Sequence, residues 1–381
     1  MLIDEIEVYH VAMPLLAPYR TGFGAETVIE SVLLRLSGGG LCVWSESTPF
    51  GEPFYGPDWT GGAFEVIRRW LGPAVVGVPL ETPQDVADTL GFVRGHRFAK
   101  AAIDIAWWTL DAALAGRPLH EHIAGGSPIR DRAEVGQALG SADDVETILS
   151  QTQAAVDAGY RRVKLKVMPG WDLEVVRAVR HTFPKLTLHV DANASYTLAD
   201  LDTFRALDGL ELAMIEQPLA WDDLRDHAEL QRALETPVCL DESVVSRRHL
   251  ELALELGSCR AVNIKPGRVG GLTESIAVHD LARDAGIRCW VGGMLESALG
   301  GALCAALQTL PGFDYPGDVF PSSRFYAADL AAPGLEFDHG PAGELRAMAA
   351  TGVGLPQTPD LDRLEPMTVS SWSSNAAAAT A

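Results

Sequence analysis

Short apolar runs alternate with longer stretches of helical periodicity between residues 133 and 318. The apolar runs recur about 25 residues apart, which is the length of one strand, one helix and two loops in a (β/α) barrel. Eight strands are predicted, at residues 133–139, 162–167, 186–191, 212–216, 237–241, 261–265, 287–292 and 313–318. Helices are predicted between them, the seventh over residues 297–310, and none follows the eighth strand. The pattern therefore predicts a modified TIM-type barrel of (β/α)7β form over residues 131–320.

The first 130 residues follow a different pattern, with strands first and helices afterwards. Strands are predicted at residues 3–13, 28–36 and 42–45, and helices at 63–71, 83–91 and 98–115. This order favours a separate α+β domain over residues 1–130. Segments rich in proline, glycine and aromatic residues, near 16–24 and 47–59, predict two loops in that domain.

The C-terminal residues continue neither pattern. Residues 321–370 are predicted to pack back on the N-terminal domain, and the Ser/Ala-rich residues 371–381 are predicted to be a disordered tail. The predicted fold class is thus α/β: a modified (β/α)7β TIM-type barrel with an α+β capping domain formed by the N-terminal region and the C-terminal segment.

The net charge and the cysteine content restrict the possible binding partners and the cellular compartment of the protein. The 51 acidic and 30 basic residues leave a net charge of −21, which disfavours nucleic acid and anionic membranes as partners. No apolar run approaches the about 18 residues of a membrane span, and the first residues lack the features of a signal peptide. The five cysteines are odd in number and form no CxxC pair, which indicates free thiols. We therefore predict a cytoplasmic protein without a membrane or nucleic-acid partner.

Charged residues end five successive barrel strands. They are Lys166, Asp191, Glu216, Asp241 and Lys265. Because the C-terminal ends of barrel strands meet on one face, we expect these side chains to converge. Three carboxylates in one place repel each other unless a cation lies among them, and hard oxygen ligands suit Mg²⁺. The alternative, that the three are separate caps and salt-bridge partners, is disfavoured by their matching positions in successive units.

The lysines indicate proton transfer. Lys164 and Lys166 are two residues apart and share one face of a strand, which in a barrel is the interior. Lys265 ends a strand across the barrel from them. Two such cations could take and return a proton on opposite sides of a substrate, and we expect burial and the metal to lower a lysine pKa toward the working pH. The alternative is that the lysines only neutralise the acids.

Several motifs resemble a known family. They are Lys164-Leu165-Lys166, Asp191-Ala192-Asn193, Glu216-Gln217-Pro218, Asp241-Glu242-Ser243 and Asn263-Ile264-Lys265-Pro266. In order and spacing they resemble the muconate-lactonizing-enzyme subgroup of the enolase superfamily, which uses a lysine or histidine base with Mg²⁺. The segments 217–223, 292–297 and 316–318 resemble the branch that contains o-succinylbenzoate synthase and N-acylamino acid (N-succinylamino acid) racemase.

The resemblance implies a role for each matching residue. Asp191, Glu216 and Asp241 would bind Mg²⁺, with Mn²⁺ or Co²⁺ as substitutes, and Lys166 and Lys265 would be the acid/base pair around an enediolate. Lys164 would lower the pKa of Lys166. The substrate, a small carboxylate, would contact a further set of residues: Tyr19, Arg20, Phe23, Tyr55, Asn193, Gly293 and Met294. Members of this family commonly assemble into dimers or octamers, so the resemblance also implies a homo-oligomer.

Two departures from the family pattern leave the reaction open. Gly292 to Ser297 is followed by Ala298-Leu299-Gly300 where the branch usually has Gly-Arg-Ala, and residues 47–57 are unusually rich in proline and aromatics. Racemisation and o-succinylbenzoate synthesis both remain, and dipeptide epimerase or muconate cycloisomerase is the runner-up. Dipeptide epimerases are expected to carry Asp-x-Asp near the eighth strand, whereas Asp314 and Asp318 are spaced differently. An alternative of another class is a barrel that binds an anionic metabolite without turnover, which would not need a base on each face.

Overall fold

The computed structural model describes residues 1–376. Its N-terminal part contains the strands β1 (Glu5–Thr21), β2 (Gly24–Gly38) and β3 (Leu41–Ser47), and a loop over residues 48–59. Helices follow: α1 (Thr60–Val66), which continues as a π-helical turn (Ile67–Leu71) into α2 (Gly72–Val75), then α3 (Pro83–Leu90), α4 (Arg97–Leu114) and α5 (Leu119–Ile123). Thr82 caps α3 in a capping box with Asp85, so this helix begins where its first backbone N–H groups find acceptors.

The parallel strands of the barrel recur as the sequence pattern predicts. After β4 (Arg132–Glu134) they are β5 (Gln137–Leu139), β6 (Arg162–Lys166), β7 (Thr187–Asp191), β8 (Ile215–Glu216), β9 (Val238–Leu240), β10 (Ala261–Ile264) and β11 (Arg288–Val291). The helices are α6 (Val145–Asp157), α7 (Leu173–Thr182), α8 (Leu201–Asp208, preceded by the 3₁₀ turn Leu198–Asp200), α9 (Arg225–Ala233), α10 (Arg247–Leu256), α11 (Pro266–Val269), α12 (Leu272–Asp284) and α13 (Ala298–Gln308).

The C-terminal part returns to the N-terminal domain. Its elements are the 3₁₀ turn Ser322–Arg324, β12 (Ala331–Ala332), β13 (Phe337–His339), β14 (Leu345–Met348), β15 (Thr358–Pro359), α14 (Leu361–Met367) and β16 (Thr368–Asn375). β13, β14 and β4 form one small antiparallel sheet, and β12 pairs with β15.

Seven parallel strands, β5 to β11, form one curled sheet in sequence order. The predicted eighth strand is instead an extended segment that joins the two edges. Gly317 N donates to Glu134 O at 3.1 Å, Gly136 N donates to Gly317 O at 2.9 Å, and Asp318 N donates to Val291 O at 2.8 Å. The predicted first strand is divided as well, because Arg132–Glu134 pairs with β14 and only Gln137–Leu139 lies in the barrel.

The antiparallel N-terminal sheet has the order β16-β1-β2-β3. The loop predicted near residues 16–24 is wrong in part, because β1 runs to Thr21 and the segment is the tip of a β1–β2 hairpin. The pairing is interrupted between Pro14 and Tyr19, where Pro18 has no N–H to donate to a ladder. The tip resumes pairing at Tyr19 with Glu26 and turns through Gly24, whose φ is 149°.

The tail predicted to be disordered is also corrected within the described residues. Residues 371–375 belong to β16, which is antiparallel to β1, with Trp372 opposite Val8. Trp372 packs on Gly72, where an added Cβ would come within 2.6 Å of the indole ring. Backbone pairing and this partly buried ring order a segment whose composition indicates no structure. Residues 377–381 lie outside the described residues.

Helix α4 connects the two parts. On one side Ser45 Oγ of β3 donates to Ala102 O at 2.6 Å. On the other side Trp108 Nε1 donates to Thr273 Oγ1 of α12 at 2.9 Å. The two contacts of α4 hold the N-terminal sheet beside the C-terminal ends of the barrel strands. The presence of a barrel and a capping domain confirms the predicted fold class. No helix among residues 1–376 combines the length and apolar character needed to cross a membrane.

Candidate active site

Charged side chains meet at the C-terminal ends of the barrel strands. Lys166 ends β6, Asp191 ends β7 and Glu216 ends β8, while Asp241 and Lys265 directly follow β9 and β10. In the sheet register Lys166 pairs with Asp191, and Asp191 pairs with Glu216. All five residues are buried, Glu216 and Asp241 completely. The parallel sheet thus brings together residues that are up to about a hundred positions apart in the chain.

Each of two carboxylates accepts a hydrogen bond from one lysine. Lys166 Nζ lies 2.7 Å from Asp191 Oδ2. Lys265 Nζ lies 2.8 Å from Asp241 Oδ2. The two lysines therefore approach the site from opposite ends of the row of three acids, with Glu216 between them.

Lys164 lies deeper in the barrel and contacts three carboxylates. Its Nζ is 2.7 Å from Asp318 Oδ2, 3.3 Å from Glu216 Oε2 and 3.4 Å from Asp191 Oδ2. Asp318 also accepts from the buried Arg162 at 2.7 Å. Burial alone would raise the pKa of Asp318, but Lys164 and Arg162 outweigh it and lower the pKa to about 2.

Glu216 is held in its charged form. Its Oε1 accepts from Asn263 Nδ2 at 2.7 Å, and His189 Nε2 lies 3.3 Å from its Oε2. Burial lowers the pKa of His189 to about 4, so its imidazole is neutral at pH 7, with Nε2–H directed at Glu216 and Nδ1 accepting from Tyr315 Oη at 2.7 Å. Burial would raise the pKa of Glu216, but Lys164 and the His189 hydrogen bond hold it well below its usual range.

Asp241 has the densest set of donors. Tyr55 Oη donates to its Oδ1 at 2.9 Å, and the buried Arg268 forms an ion pair with the same oxygen. Lys265 Nζ in turn donates to Tyr55 Oη at 3.0 Å and lies 4.3 Å from the centre of the Tyr55 ring. The loop over residues 48–59, which we call the capping loop, therefore reaches into the barrel through Tyr55 and contacts both an acid and a lysine of the site.

The pKa values of Lys164 and Lys265 are raised, whereas we expect from the sequence that burial and a metal lower a lysine pKa. Burial lowers the pKa of Lys265, but Tyr55 and the acids around it outweigh burial, and the pKa is raised above its usual value. For Lys164, Asp318, Glu216 and Asp191 outweigh burial in the same way, and its pKa is raised. Because the neighbouring acids outweigh burial, both lysines stay protonated at neutral pH. The expected lowering requires a further positive charge among the carboxylates.

Asn193 connects Lys166 to a fourth acid. Lys166 Nζ donates to Asn193 Oδ1 at 2.7 Å, and Asn193 Nδ2 donates to Glu242 Oε1 at 3.2 Å. The backbone of Asn193 has a φ of 41°, a region that asparagine tolerates better than most residues. Burial, and then Asp191, raise the pKa of Glu242 to about 7. The second oxygen of Glu242 is buried without a hydrogen-bond partner.

The donor set fits Mg²⁺. In residues 1–376, no group of three or more acidic, histidine or cysteine side chains surrounds a common point where a metal could sit. One oxygen of Asp191 and one of Asp241 are each paired with a lysine. Asp191, Glu216 and Asp241 nevertheless offer buried hard oxygen donors on adjacent strands, which suit Mg²⁺. A divalent cation would supply the positive charge that Lys166 and Lys265 now supply, provided that both ammonium groups withdraw.

A small pocket lies over the lysines. It has a volume of about 40 Å³, too little for a substrate, so the hairpin tip or the capping loop has to move to admit one. Among the predicted substrate-binding residues, Tyr19, Phe23, Tyr55, Asn193, Gly293 and Met294 line this pocket. Arg20 does not line it. That side chain points to the outside, where it forms an ion pair with the exposed Asp143.

Sequence reasoning missed several residues that complete the site. Arg268 lies on the short helix α11, three residues after Lys265, and this spacing on a helical turn returns its guanidinium to Asp241. His189 and Asn263 lie two residues before Asp191 and Lys265, so the strand alternation that identified Lys164 also points them into the barrel. Glu242 directly follows Asp241, a predicted metal ligand, and no feature of the sequence identifies it separately as a site residue.

Comparison with known proteins gives matches over most of the chain. Residues 3–124 match the family model for the mandelate racemase / muconate lactonizing enzyme N-terminal domain, and residues 147–361 match the enolase C-terminal domain-like model. The chain is 43% identical over 340 residues to the N-succinylamino acid racemase of Thermus thermophilus, covering 89% of this chain and 91% of that protein. It is 40% identical over 362 residues to the o-succinylbenzoate synthase of Geobacillus kaustophilus, covering 95% and 94%. A solved enolase-superfamily structure from Listeria innocua superposes with a TM-score of 0.92 at 34% identity, covering 99% of this chain and 100% of that one.

Proposed function

The chain belongs to the mandelate racemase/muconate lactonizing enzyme family of the enolase superfamily, and from this membership we propose a specific reaction. The enzyme removes the proton α to the carboxylate of a small acid and passes through an enediolate. The reaction is racemisation of an N-acylamino acid or formation of o-succinylbenzoate, the activities for which two similar relatives are named.

One observation carries this proposal. Lys166 and Lys265 lie at opposite ends of the row Asp191, Glu216 and Asp241, and each donates to the acid nearest to it. A substrate carboxylate drawn to the centre of this row would have its α-carbon flanked by one lysine on each side. Such a placement suits a reaction in which one lysine takes a proton and the other returns it. A positioned base of this kind typically increases the reaction rate about 10²–10⁴-fold.

The remaining residues keep that arrangement in place. Asn193 accepts from Lys166, and Tyr55 accepts from Lys265, so each ammonium group has one neutral partner besides its carboxylate. When the carboxylate contact is released, these neutral partners would keep each lysine directed at the substrate. Lys164, fixed by Asp318, would contribute a permanent positive charge for the substrate carboxylate.

Enolase-superfamily enzymes generally use Mg²⁺, and Asp191, Glu216 and Asp241 would hold it here. When bound, Mg²⁺ supplies Lewis-acid stabilisation of the negative charge that develops on the substrate carboxylate. Mn²⁺ or Co²⁺ would be substitutes with the same ligand preference.

The dipeptide epimerase alternative fits the site less well. A free acid pair near the end of the barrel would have to hold the amino group of a dipeptide. Asp318 is instead paired with both Lys164 and Arg162, and the residue two positions before it is Pro316. A purely binding role also fits poorly, because binding of an anion does not call for a lysine at both ends of the acid row.

Proton NMR in D₂O with Mg²⁺ tests the proposal, using N-succinyl- and N-acetyl-amino acids of both configurations. We expect loss of the α-proton signal from both enantiomers with the unmodified enzyme. Lys166→Ala and Lys265→Ala should each abolish racemisation and retain exchange with one enantiomer only, and the two variants should retain opposite enantiomers. Lys185→Ala, at an exposed lysine, is the matched control and should behave as the unmodified enzyme. Exchange of both enantiomers by either site variant would contradict the two-lysine arrangement.

The location, substrate and partners proposed for the enzyme are those predicted from the sequence. All five cysteines are free and four are buried, which is consistent with the predicted reducing cytoplasm. The small carboxylate substrate agrees with the names of the relatives. Assembly into homo-oligomers and the lack of nucleic-acid and membrane partners stay predictions.

A further inference from the structure

A second cavity lies on the outer side of the hairpin tip. It has a volume of about 570 Å³ and is enclosed by the hairpin tip (residues 17–20), helix α6 and residues 321–325. This size is within the range of about 300–1,000 Å³ that is usual for small-molecule sites. We refer to it below as the outer cavity.

The outer cavity is positively charged in a strongly acidic protein. Arg20 and Arg324 line it, and no aspartate or glutamate does. The chain as a whole has 51 acidic and 30 basic residues, so a concave surface with two arginines and no acid is unusual for it. Arg20 has a partner in the exposed Asp143, which lies outside the lining. Arg324 forms no ion pair with any residue between 1 and 376.

Arg324 is held rigidly but is not neutralised. Its NH2 group donates to Ala138 O at 2.7 Å, and its guanidinium carbon lies 5.2 and 5.1 Å from the ring centres of Phe320 and Phe325. Its NH1 group is shielded from solvent and has no hydrogen-bond partner. Burial lowers the pKa of Arg324, and the opposing effects of Tyr19, Tyr160 and Asp318 are too small to reverse this. A buried charge without a counter-ion is costly, and an anion at this place would remove that cost.

The other residues that line the outer cavity indicate which class of anion it would bind. Gln137 is buried and its Oε1 also lacks a partner, so its amide could turn its NH₂ group to an incoming oxygen. The planar guanidinium of Arg324 matches the geometry of a carboxylate. Apolar surface from Leu139, Ala155 and Phe325 surrounds these polar groups. The lining therefore suits a carboxylate attached to a small, largely apolar body.

The outer cavity shares its wall with the active site. Tyr19 lines both cavities. Phe320 and Ala138, which line the active-site pocket, are the ring and the carbonyl that hold Arg324. An anion bound to Arg324 would thus be one side chain away from the site of proton transfer and beneath the hairpin tip.

We propose that the outer cavity binds the carboxylate of a small organic acid through Arg324. The carboxylate has two sources. It is either the distal carboxylate of the enzyme's own substrate, which rests on the function proposed above, or that of a separate acid that binds beneath the hairpin tip and alters its movement.

Calorimetric titration of the Mg²⁺-loaded enzyme with succinate tests the site without any turnover. Loss of one charged hydrogen-bonding partner typically weakens binding about tenfold or more, so Arg324→Met should weaken succinate binding by that factor. Ala154→Phe should do the same by filling the cavity from an exposed position of α6, which keeps the test valid if the arginine variant folds poorly. Arg248→Met, at an exposed arginine, is the control and should bind as the unmodified enzyme. Succinate binding that is absent, or that neither cavity variant weakens, would overturn the proposal.

Kinetics then separate the two sources. If the substrate supplies the carboxylate, Arg324→Met should raise KM about tenfold for N-succinylphenylalanine and leave KM for N-acetylphenylalanine unchanged. If a separate acid binds, succinate should change the rate on N-acetylphenylalanine with the unmodified enzyme but not with Arg324→Met. An enzyme that is inactive on both substrates but still binds succinate through Arg324 would contradict racemisation of N-acylamino acids as the proposed function and leave the outer cavity supported.

Discussion

Lys164 Nζ lies 2.7 Å from Asp318 Oδ2 in the interior of the barrel. This ion pair joins the second strand of the barrel sheet to the segment that closes the sheet, and it anchors a lysine that also contacts two of the three acids in the active site. Stability and catalytic geometry therefore depend on the same carboxylate. The other oxygen of Asp318 accepts from Arg162, so two buried cations share this one carboxylate.

Replacing Asp318 by asparagine should be strongly destabilising. Breaking a buried ion pair by removing one partner costs about 3–5 kcal/mol, because the remaining charges are left uncompensated. The pKa of Asp318 is lowered to about 2, so its contribution is full above the unfolded value near 3.8 and is lost as the pH falls toward 2. Urea unfolding at pH 7 and pH 3 should show a smaller difference between variant and unmodified protein at the lower pH.

Asp314→Asn is the matched control, because Asp314 is exposed and lies only four positions earlier. It should unfold with the unmodified protein at both pH values. A loss of stability as large for Asp314→Asn as for Asp318→Asn would place the effect in the closing segment as a whole and not in the ion pair.

The sequence pattern predicts the barrel strands well because each is an apolar run that ends in a polar residue. The pattern predicts strands over residues 162–167 and 186–191, and the structure has strands at Arg162–Lys166 and Thr187–Asp191. The carboxylates and lysines of the site follow from this regularity, since the fold itself carries strand ends to one place.

What the sequence does not predict depends on partners far away in the chain. The hairpin tip contains Pro18 and Gly22, which locally indicate a loop, yet the pairing of β1 with β2 extends through it. Strand β16 is polar and rich in serine, and only its pairing with β1 and the packing of Trp372 on Gly72 make it a strand. Arg268 belongs to a glycine-rich segment, and its contact with Asp241 follows from a helical turn that composition does not reveal.

Removal of Mg²⁺ should abolish turnover and leave the fold intact. In the metal-free protein, Lys166 and Lys265 cover the carboxylates that would otherwise repel each other. The pKa of Lys265 is raised in that state, so the lysine remains protonated and raising the pH to about 9 should not restore activity. The checks are α-proton exchange with EDTA, with EDTA at raised pH and after re-addition of Mg²⁺, together with far-UV circular dichroism. Full activity in EDTA would contradict the metal assignment, and unfolding in EDTA would contradict the role given to the lysines.

A partly buried acid beside the active site, Glu296, should make stability fall as the pH rises; it lines a small pocket together with Lys265 and Met294. Burial, and to a lesser extent Glu46, raise the pKa of Glu296 to about 7 from its usual 4.5. A raised folded-state value means that the folded protein binds the proton more tightly, so the group costs stability progressively between pH 4.5 and 7. The full cost is about 3 kcal/mol above that range.

Glu296→Gln should therefore gain stability relative to the unmodified protein as the pH rises from 5 to 8. Chemical unfolding at several pH values measures the difference, which should change by up to about 3 kcal/mol in favour of the variant. Glu229→Gln, at an exposed position, should show no such change. A difference between Glu296→Gln and the unmodified protein that stays constant with pH would refute the assignment.

Two adjacent glycines in α13 lie where the chain departs from the family pattern, and they have different surroundings. A Cβ on Gly300 would lie 2.6 Å from Glu296 Cβ and 3.0 Å from Glu46 Oε2. Glu46, from β3, accepts from Gly300 N at 2.9 Å and from Ser297 Oγ at 2.6 Å, so it fixes the start of α13 to the N-terminal sheet. The nearest atoms to a Cβ on Gly301 would be at the end of the Leu335 side chain, the closest at 3.0 Å.

Alanine at these two positions should consequently have opposite effects. Gly300→Ala would clash with the Glu296 side chain and crowd Glu46, and overpacking of this kind costs about 1–3 kcal/mol. Gly301→Ala should be neutral or stabilising by up to about 1 kcal/mol, because Leu335 can shift and alanine is the better helix former. Thermal unfolding of both variants gives the comparison. Because the helix and the substitution are the same, equal shifts in Tm would mean that the close packing around Gly300 is relieved without cost.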